Sequence, residues 1–351
     1  MERTLKLGTA YHSNRILRHV EEDMTDIVNH HMNTVVHMFT HNDMDRHRSV
    51  LKDIIAISED KGLEVWVDNW GVDDGPGDKA YITALIPDAA QQYADGTRYF
   101  RPCFNHPQFR DFTKSWVDAV AEAGGKTLFW DEPHLNVSDA HGFACHCPTC
   151  RRLFEEKYGK PMPAELTDEV AAFRTDTLVD YFRFATDYAH ECGMTNTGCI
   201  MFSPSHGISV DSIDRLLSLP HFDNVGCDPY WCGVCSEPQA IYDYNYVNAK
   251  KAVTAAERFG KDHNVWLQAY AFPRGREDEL MIAADALYDA GARTILTWSF
   301  RGGESNDYRA QNPDMIWAIQ GEIMAHLRRR HFDAVLAGLR RADADRNGGS
   351  L

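Results

Sequence analysis

The sequence predicts a single (β/α)8 barrel, or TIM barrel, and three observations support this prediction. Eight short β-rich runs recur along the 351 residues, and eight parallel strands close such a barrel. Most runs are followed by a longer segment with the apolar spacing of a helix. Glycine follows several of these segments, as in Asp60-Lys61-Gly62 and Ala290-Gly291, where a left-handed helix cap is favoured.

The predicted elements alternate along the whole chain. The strands are residues 5–11, 34–40, 63–69, 126–131, 197–203, 225–230, 264–270 and 293–300. The helices are residues 43–60, 107–123, 167–192, 238–259, 277–290 and 313–330. The intervals after the third and fourth strands are about twice as long as the others, so we expect long insertions there, on the catalytic face of the barrel.

We predict one domain over residues 1–340, followed by a flexible tail over residues 341–351 whose sequence is small and polar. A doubly wound sheet is the competing architecture. That fold usually carries a glycine-rich phosphate loop after its first strand. Here the first strand runs instead into Thr9-Ala10-Tyr11-His12-Ser13, which favours the barrel.

The composition excludes several classes of partner. Hydrophobic residues make up 44% and charged residues 25% of the chain, which is typical of folded soluble proteins. The formal net charge of -16 repels nucleic acid and anionic lipid. The sequence has neither a long apolar stretch nor an apolar segment near its start, so we expect a cytoplasmic protein without a membrane span. Both a monomer and a homo-oligomer stay open.

A cysteine cluster predicts a metal site. Cys145, Cys147 and Cys150 form a C-x-C-x2-C run, and Cys103 in the preceding insertion supplies a fourth thiol. Four cysteines around one Zn²⁺ form a closed tetrahedral site, which is structural because catalysis needs an open position. The alternatives that stay open are His141 or His146 in place of Cys103, Cys232 and Cys235 as rival ligands, and thiols that bind no metal.

The fourth strand gives the strongest catalytic signal. It runs through apolar Phe129 and Trp130 into the adjacent acids Asp131 and Glu132, and Pro133 then ends the strand. Catalytic residues of such barrels lie at the C-terminal ends of strands. Repulsion between neighbouring carboxylates beside apolar rings favours a proton on one of them, as a general acid requires. A solvated loop or a pair at a helix N-terminus is the alternative.

Other strand ends complete the predicted site. The candidate side chains are His37 after the second strand; Asp68, Asn69 and Trp70 after the third; Asp228, Tyr230 and Trp231 after the sixth; Gln268 and Tyr270 after the seventh; and Trp298, Arg301 and Glu304 after the eighth. Aromatic rings stack on sugar faces while polar groups bind hydroxyls, so this mixture predicts a small carbohydrate ligand, although each aromatic residue alone also suits a barrel core. No signature of an organic cofactor is present.

These features resemble the retaining glycoside hydrolases built on (β/α)8 barrels, and among them the β-galactosidases of family 42. In that family an acid/base glutamate ends the fourth strand, and a zinc site combines one upstream cysteine with a C-x-C-x2-C run just after the glutamate. Glu132, Cys103 and the three later cysteines stand here in the same order. The resemblance implies a glycosidase barrel with Glu132 as the acid and a structural zinc ion.

The sequence also departs from that family. The family's nucleophile is a glutamate at the end of the seventh strand, where this chain has Gln268, and Asp131 replaces the asparagine before the acid. Several mechanisms therefore stay open. In the first, the substrate's own acetamido group attacks with help from Asp131. In the second, one of Asp228, Asp68 and Glu304 activates water or attacks directly. In the third, Gln268 stands in place of a catalytic glutamate.

We therefore predict a hydrolase of small glycosides, with Glu132 as the general acid and Asp131 and Asp228 as its catalytic partners. One alternative is a catalytically inactive sugar-binding barrel, which the missing seventh-strand glutamate favours. The other is a sugar lyase or isomerase that uses His37 or His41 as a base or metal ligand.

Overall fold

The chain folds into a closed barrel of eight parallel strands. The computed structural model describes residues 4–12, 14–70, 82–200 and 210–348. Each strand pairs with the next one along the chain, and the eighth pairs with the first. The strands are β1 (Lys6–Tyr11), β2 (Thr34–Met38), β3 (Glu64–Asp68), β4 (Thr127–Asp131), β5 (Thr195–Cys199), β6 (Asn224–Cys227), β7 (Asp262–Gln268) and β8 (Thr294–Trp298). The prediction of a TIM barrel is confirmed. Positions 201–203 of the fifth predicted strand lie outside the described residues.

Helices surround the barrel and follow the strands in the predicted order. They are α1 (Leu17–Asn29), α2 (His41–Arg46), α3 (Arg48–Asp60), α4 (Ile82–Leu85), α5 (Pro107–Glu122), α6 (Pro148–Tyr158), α7 (Asp168–Glu191), α8 (Val210–Leu217), α9 (Pro238–Phe259), α10 (Glu279–Asp289) and α11 (Pro313–Gly348). The six predicted helices are present, although the first of them is divided into α2 and α3 at His47. None of the helices in the described part of the chain is long and apolar enough to cross a membrane.

Helices α1 and α8 were not predicted, and α11 ends later than predicted. Helix α1 buries Val20, Met24 and Ile27 at the three- and four-residue spacing of a helix face. Helix α11 continues to Gly348 instead of ending at Arg330. Its second half contains no proline and is rich in Ala, Leu and Arg, which favour helix. Residues 341–348, which we predicted as part of a flexible tail, are therefore helical.

The two long intervals contain the additional elements. The first, after β3, holds α4 and a hairpin of Ala90–Gln92 with Arg98–Pro102. The second, after β4, holds a short pair of strands and α6. A bridge between Tyr93 and Ala144 joins the two insertions. They therefore form one structural unit beside the mouth of the barrel.

The alternation of side chains along the strands decides which residues reach the site. Ala10, Phe129, Cys199 and Trp266 belong to a small apolar cluster inside the barrel, separate from the main core between strands and helices. Successive residues of a strand point to opposite faces. On each strand, the side chain two positions after a residue of this cluster therefore points into the mouth of the barrel. The residue between them points outward to the helices.

Candidate active site

A cavity opens at the C-terminal ends of the strands, where the catalytic residues of such barrels lie. It encloses about 640 Å³, its open mouth included. Its acidic residues are Asp131, Glu132 and Asp228, and its remaining walls are Trp70, Tyr230, Tyr270, Trp298, Asn306 and Tyr308. Seven of these nine residues were predicted as site residues from the sequence.

Glu132 and Asp228 form a close carboxyl pair at the floor of this cavity. One oxygen of each carboxyl group lies within 4.8 Å of the other and of the Cys199 sulfur. Cys199, at the end of β5, contacts both acids. Its carbonyl accepts a hydrogen bond from the Glu132 amide at 3.2 Å, and its thiol donates to Asp228 Oδ1 at 3.6 Å.

The backbone of Glu132 helps to place the pair. Its φ is +46°, a left-handed conformation that costs a non-glycine residue on the order of 1 to 3 kcal/mol and is concentrated at functional sites. The preceding residue, Asp131, belongs to β4 and is itself held in place. Its amide donates to the side-chain oxygen of Asn69 at 3.0 Å. The two adjacent acids therefore leave the strand with different backbone conformations, and both border the cavity.

The environment of the pair favours one retained proton. Burial, followed by the charge of Glu132 and the hydrogen bond to it, raises the pKa of Asp228 well above its usual value. Asp228 therefore keeps its proton to a higher pH than an isolated aspartic acid does, in close proximity to the Glu132 carboxyl group.

Aromatic rings form the walls around the carboxyl pair. Tyr230 and Tyr270 meet edge to face with centroids 5.2 Å apart, and Trp70 and Trp298 do so at 5.7 Å. Burial raises the pKa of both tyrosines above its usual value, so both phenols stay hydroxyl donors at neutral pH. The walls thus combine apolar faces with hydroxyl and indole donors, which is the chemistry that sugar rings need.

Two predicted site residues point away from the cavity. His37 precedes the inward-facing Met38, so alternation turns it outward, where Nε2 bonds to Ser58 Oγ of α3 at 2.8 Å. Burial lowers the pKa of His37 to about 3, so it is a neutral packing residue. Trp231 is fully buried, and its indole donates to Glu279 Oε2 of α10 at 2.8 Å. The prediction that these two residues bind substrate is corrected.

Two others lie inside the barrel but do not border the cavity. Asp68 is fully buried, and its Oδ1 accepts a hydrogen bond from the Trp70 amide at 2.7 Å. Gln268 is buried at the end of β7. Its Oε1 accepts from the Cys232 amide at 3.0 Å, and its Nε2 donates to the Tyr270 carbonyl at 3.4 Å. A carboxylate could not make the second of these bonds, so position 268 suits an amide.

Arg301 and Glu304 form an ion pair outside the cavity. Arg301 Nε lies 2.8 Å from Glu304 Oε1, and the same guanidinium also pairs with Asp314 at 2.8 Å. The loop after β8 reaches the site farther along, through Asn306 and Tyr308. Strand-end reasoning could not find these two residues because they lie well beyond the end of β8. Cys199, by contrast, follows from alternation in β5.

The four predicted metal-binding cysteines meet in one buried cluster. The sulfur atoms of Cys103, Cys145, Cys147 and Cys150 all lie within 4.8 Å of one another, and Cys103 is 3.5 Å from both Cys147 and Cys150. At a zinc–sulfur distance of about 2.3 Å, tetrahedral sulfurs lie roughly 3.8 Å apart. The cluster can therefore hold a metal ion.

Backbone and side-chain donors surround this cluster. The amides of Cys147 and Cys150 and the side chain of Asn105 each donate to a cluster sulfur at 3.5 Å. Such donors stabilise negative sulfur. The neighbouring histidines have other partners, since His146 bonds to the Pro163 carbonyl and His141 to Asp95.

A buried arginine supports the cluster from α7. The guanidinium of Arg174 donates to the carbonyls of Leu135, Asn136 and Ala144 at 2.8 to 3.3 Å. Burial lowers the pKa of Arg174 to about 10, so it stays charged at neutral pH. Its charge favours thiolates in the cluster beside it, and its hydrogen bonds fix the chain between β4 and the C-x-C-x2-C run.

Comparison with known proteins extends the description of the fold. No family model matches the sequence, and neither does any curated protein. Among solved structures, a β-galactosidase from the psychrophilic Marinomonas ef1 is similar over 95% of this chain, with a TM-score of 0.69 and 13% identity. This chain spans 60% of that protein's length.

Two further structures are similar. An endo-β-1,4-mannanase from Thermotoga petrophila matches 92% of this chain and 77% of its own, with a TM-score of 0.61 and 12% identity. An exo-β-N-acetylglucosaminidase from Vibrio harveyi matches 91% of this chain and 54% of its own, with a TM-score of 0.51 and 12% identity. Identities this low show a shared barrel of the kind found in glycoside hydrolases, and the barrel alone does not fix the reaction.

Proposed function

We propose that the chain is a glycoside hydrolase that acts on small glycosides through Glu132 and Asp228. One observation carries the proposal, namely a close pair of carboxyl groups at the floor of an aromatic-walled cavity in a barrel shared with glycosidases. Two carboxyl groups across a glycosidic bond are the usual machinery of such hydrolysis. Sugar-binding walls and an acid pair together favour it over the other reactions that barrels support.

The separation of the acids favours direct attack over an inverting reaction. Inverting enzymes keep their carboxyl groups about 6.5 to 9.5 Å apart to admit a water, and retaining enzymes about 5 to 5.5 Å. The facing oxygens of Glu132 and Asp228 lie within 4.8 Å of each other, which is below the inverting range. We propose that substrate binding transfers the retained proton from Asp228 to the neighbouring Glu132, so that Glu132 can protonate the leaving oxygen and the ionised Asp228 can attack the anomeric carbon.

The leaving group separates the two roles experimentally. We expect Glu132→Gln to lose about 10² to 10⁴ in kcat/KM on alkyl glycosides and much less on nitrophenyl glycosides, whose leaving group needs little protonation. Asp228→Asn should lose activity on both classes and regain part of it with azide as an external nucleophile. Asp45→Asn, an exposed position, is the matched control.

The outcomes that would overturn this proposal are distinct. Equal losses on both substrate classes for Glu132→Gln would remove Glu132 as the acid. If the native protein binds sugars but hydrolyses none of a broad panel of nitrophenyl glycosides, the barrel is a sugar-binding protein. The position of His37 and His41, neither of which borders the cavity, favours the hydrolase over the isomerase alternative.

A second mechanism is favoured by the position of Asp131, which borders the cavity directly beside Glu132. In a substrate-assisted reaction the sugar's acetamido group attacks, and a carboxylate next to the acid orients it. Preference for N-acetylhexosaminides, with a large loss in Asp131→Asn and little in Asp228→Asn, would select this mechanism. The opposite pattern would select attack by Asp228.

We also propose that the four-cysteine cluster binds one structural Zn²⁺. Four thiolates complete a tetrahedron, so the ion would have no open position for substrate. It would join the insertion after β3, which carries Cys103, to the insertion after β4.

The barrel, the four cysteines and Glu132 support a relationship to family 42 β-galactosidases. In this chain the second catalytic carboxylate would follow β6, as Asp228, instead of β7.

A further inference from the structure

A second cavity adjoins the one that holds the carboxyl pair. This outer cavity encloses about 1120 Å³, open space included. Trp70, Asn306 and Tyr308 border both cavities, so within the described part of the chain the two cavities share a wall. The ring of Tyr308 is 55% exposed and stands at the junction. A ligand longer than one ring can therefore extend from the carboxyl pair into the outer cavity.

The charges of the outer cavity compensate one another almost completely. Arg15 binds Asp43 with two hydrogen bonds of 2.8 Å, and two further donors bond to the carbonyls of Asn14 and Met38. Four of its five donors are thus engaged within the protein, and its charge is paired with Asp43. Asp307 adds one negative charge to the wall. The surroundings therefore disfavour anionic groups and suit a neutral polar one.

The wall of the outer cavity contains two buried donors. The Tyr308 amide donates to Asn306 Oδ1 at 2.8 Å, which identifies the other amide atom of Asn306 as nitrogen. That nitrogen lies 2.7 Å from His12 Nε2. Burial lowers the pKa of His12 to about 4, so the ring is neutral. Nε2 must accept from Asn306, and the ring proton lies on Nδ1.

The resulting N–H group is unsatisfied. Neither His12 Nδ1 nor the indole nitrogen of Trp70 has a hydrogen-bond partner within the described ranges. The two rings lie 5.5 Å apart between centroids. A buried donor without an acceptor costs on the order of 1 to 3 kcal/mol. Both nitrogens are themselves covered by protein atoms, so the preference for an uncharged ligand rests on the charges of the outer cavity and on its aromatic junction with the first cavity.

We propose that the outer cavity is a subsite for a second, neutral sugar ring, so that the substrate is a disaccharide or longer glycan. This inference rests on the proposed function, since it places the first ring over Glu132 and Asp228. The aromatic side chains at the junction hold the linked rings, and the polar wall of the outer cavity binds hydroxyls of the second ring.

Binding to a hydrolytically impaired variant tests the subsite without turnover. Calorimetry with Glu132→Gln compares lactose, cellobiose, mannobiose and N,N′-diacetylchitobiose with their constituent monosaccharides. We expect at least one disaccharide to bind tenfold or more tightly than its monosaccharides. Equal affinities for all four pairs would overturn the inference.

Blocking the outer cavity locates the second ring. Ser305 and Asp307 are exposed residues that border the outer cavity alone. In the Glu132→Gln background, Ser305→Trp and Asp307→Trp should each remove most of the disaccharide's advantage, and Ser115→Trp on α5 should retain it. If neither blocking variant changes the ratio, the second ring lies elsewhere and the inference fails. If the binding pattern holds but the native protein hydrolyses nothing, the proposed function fails and the subsite stands.

Discussion

Replacing Asp228 by asparagine should stabilise the protein, and the gain should depend on pH. Asp228 keeps its proton to a higher pH in the folded protein than in the unfolded chain because of burial and the neighbouring Glu132. An unfolded aspartic acid ionises near pH 4. Between that pH and the raised folded pKa, the unfolded state binds fewer protons than the folded state, so the free energy of unfolding falls as pH rises. Asparagine cannot ionise and escapes this loss.

The size of the effect follows from the exchange of one proton. The free energy of unfolding changes by at most about 1.4 kcal/mol for each pH unit within the window, and by less where cavity water screens the charges. At about 2.1 cal/mol/K per residue, the unfolding entropy of a 351-residue chain converts this into roughly 2 °C per pH unit. The amide group introduced by Asp228→Asn can still donate to Glu132, so packing is retained.

Thermal unfolding followed by circular dichroism between pH 3.5 and pH 8 measures the effect. We expect no advantage of Asp228→Asn below pH 4, and an advantage that grows with pH above it until the native carboxyl ionises. Asp45→Asn changes an exposed position. The difference between its unfolding temperature and that of the native protein should not grow with pH in this way. A pH-independent difference for Asp228→Asn would refute the retained proton, and with it the account of the carboxyl pair.

The remaining predictions concern the metal and the packing of the barrel. Elemental analysis should find about one zinc per chain, and Cys150→Ser should remove it and cost on the order of 4 kcal/mol or more of unfolding free energy. The control variant Cys235→Ser changes a cysteine outside the cluster and should keep the zinc. Loss of zinc from this control, or absence of zinc from native protein prepared without chelator, would exclude the site. Gly226→Ala should cost about 1 to 3 kcal/mol, because the new Cβ would lie 2.1 Å from the side-chain oxygen of Asn264. Gly338→Ala in α11 meets nothing within 4 Å and should gain roughly 0.5 to 1 kcal/mol; equal midpoints for the two glycine variants would contradict the packing argument.

Much of the fold could be predicted because each strand was a short run between helical segments. All eight barrel strands were found in this way. The site was harder to predict, because a residue's place at the end of a strand indicates how deep it lies in the barrel but does not indicate which way its side chain points. Asp131 and Trp298 lie two positions after the inward-facing Phe129 and Leu296, and both border the cavity. His37 directly precedes an inward residue and faces the helices.

Alternation applied to each strand would have removed His37 and added Cys199. It would not have separated Gln268 from the cavity, because that side chain does point inward and is then covered by the loop after β6. Nor would it have found Asn306 or Tyr308, whose positions depend on the path of the loop after β8. Loop paths are set by tertiary contacts that no local pattern encodes.

The hydrogen bonds of Gln268 limit how this barrel can be redesigned. Installing a conventional seventh-strand nucleophile by Gln268→Glu would set a carboxylate oxygen against the carbonyl of Tyr270, 3.4 Å from the present amide nitrogen. The other carboxylate oxygen could still accept from the amide of Cys232, four residues after Asp228, so the side chain would be held at one end and repelled at the other. Transplanting catalysis from β6 to β7 would therefore require a new course for the segment between them, and a single exchange of side chain would not suffice.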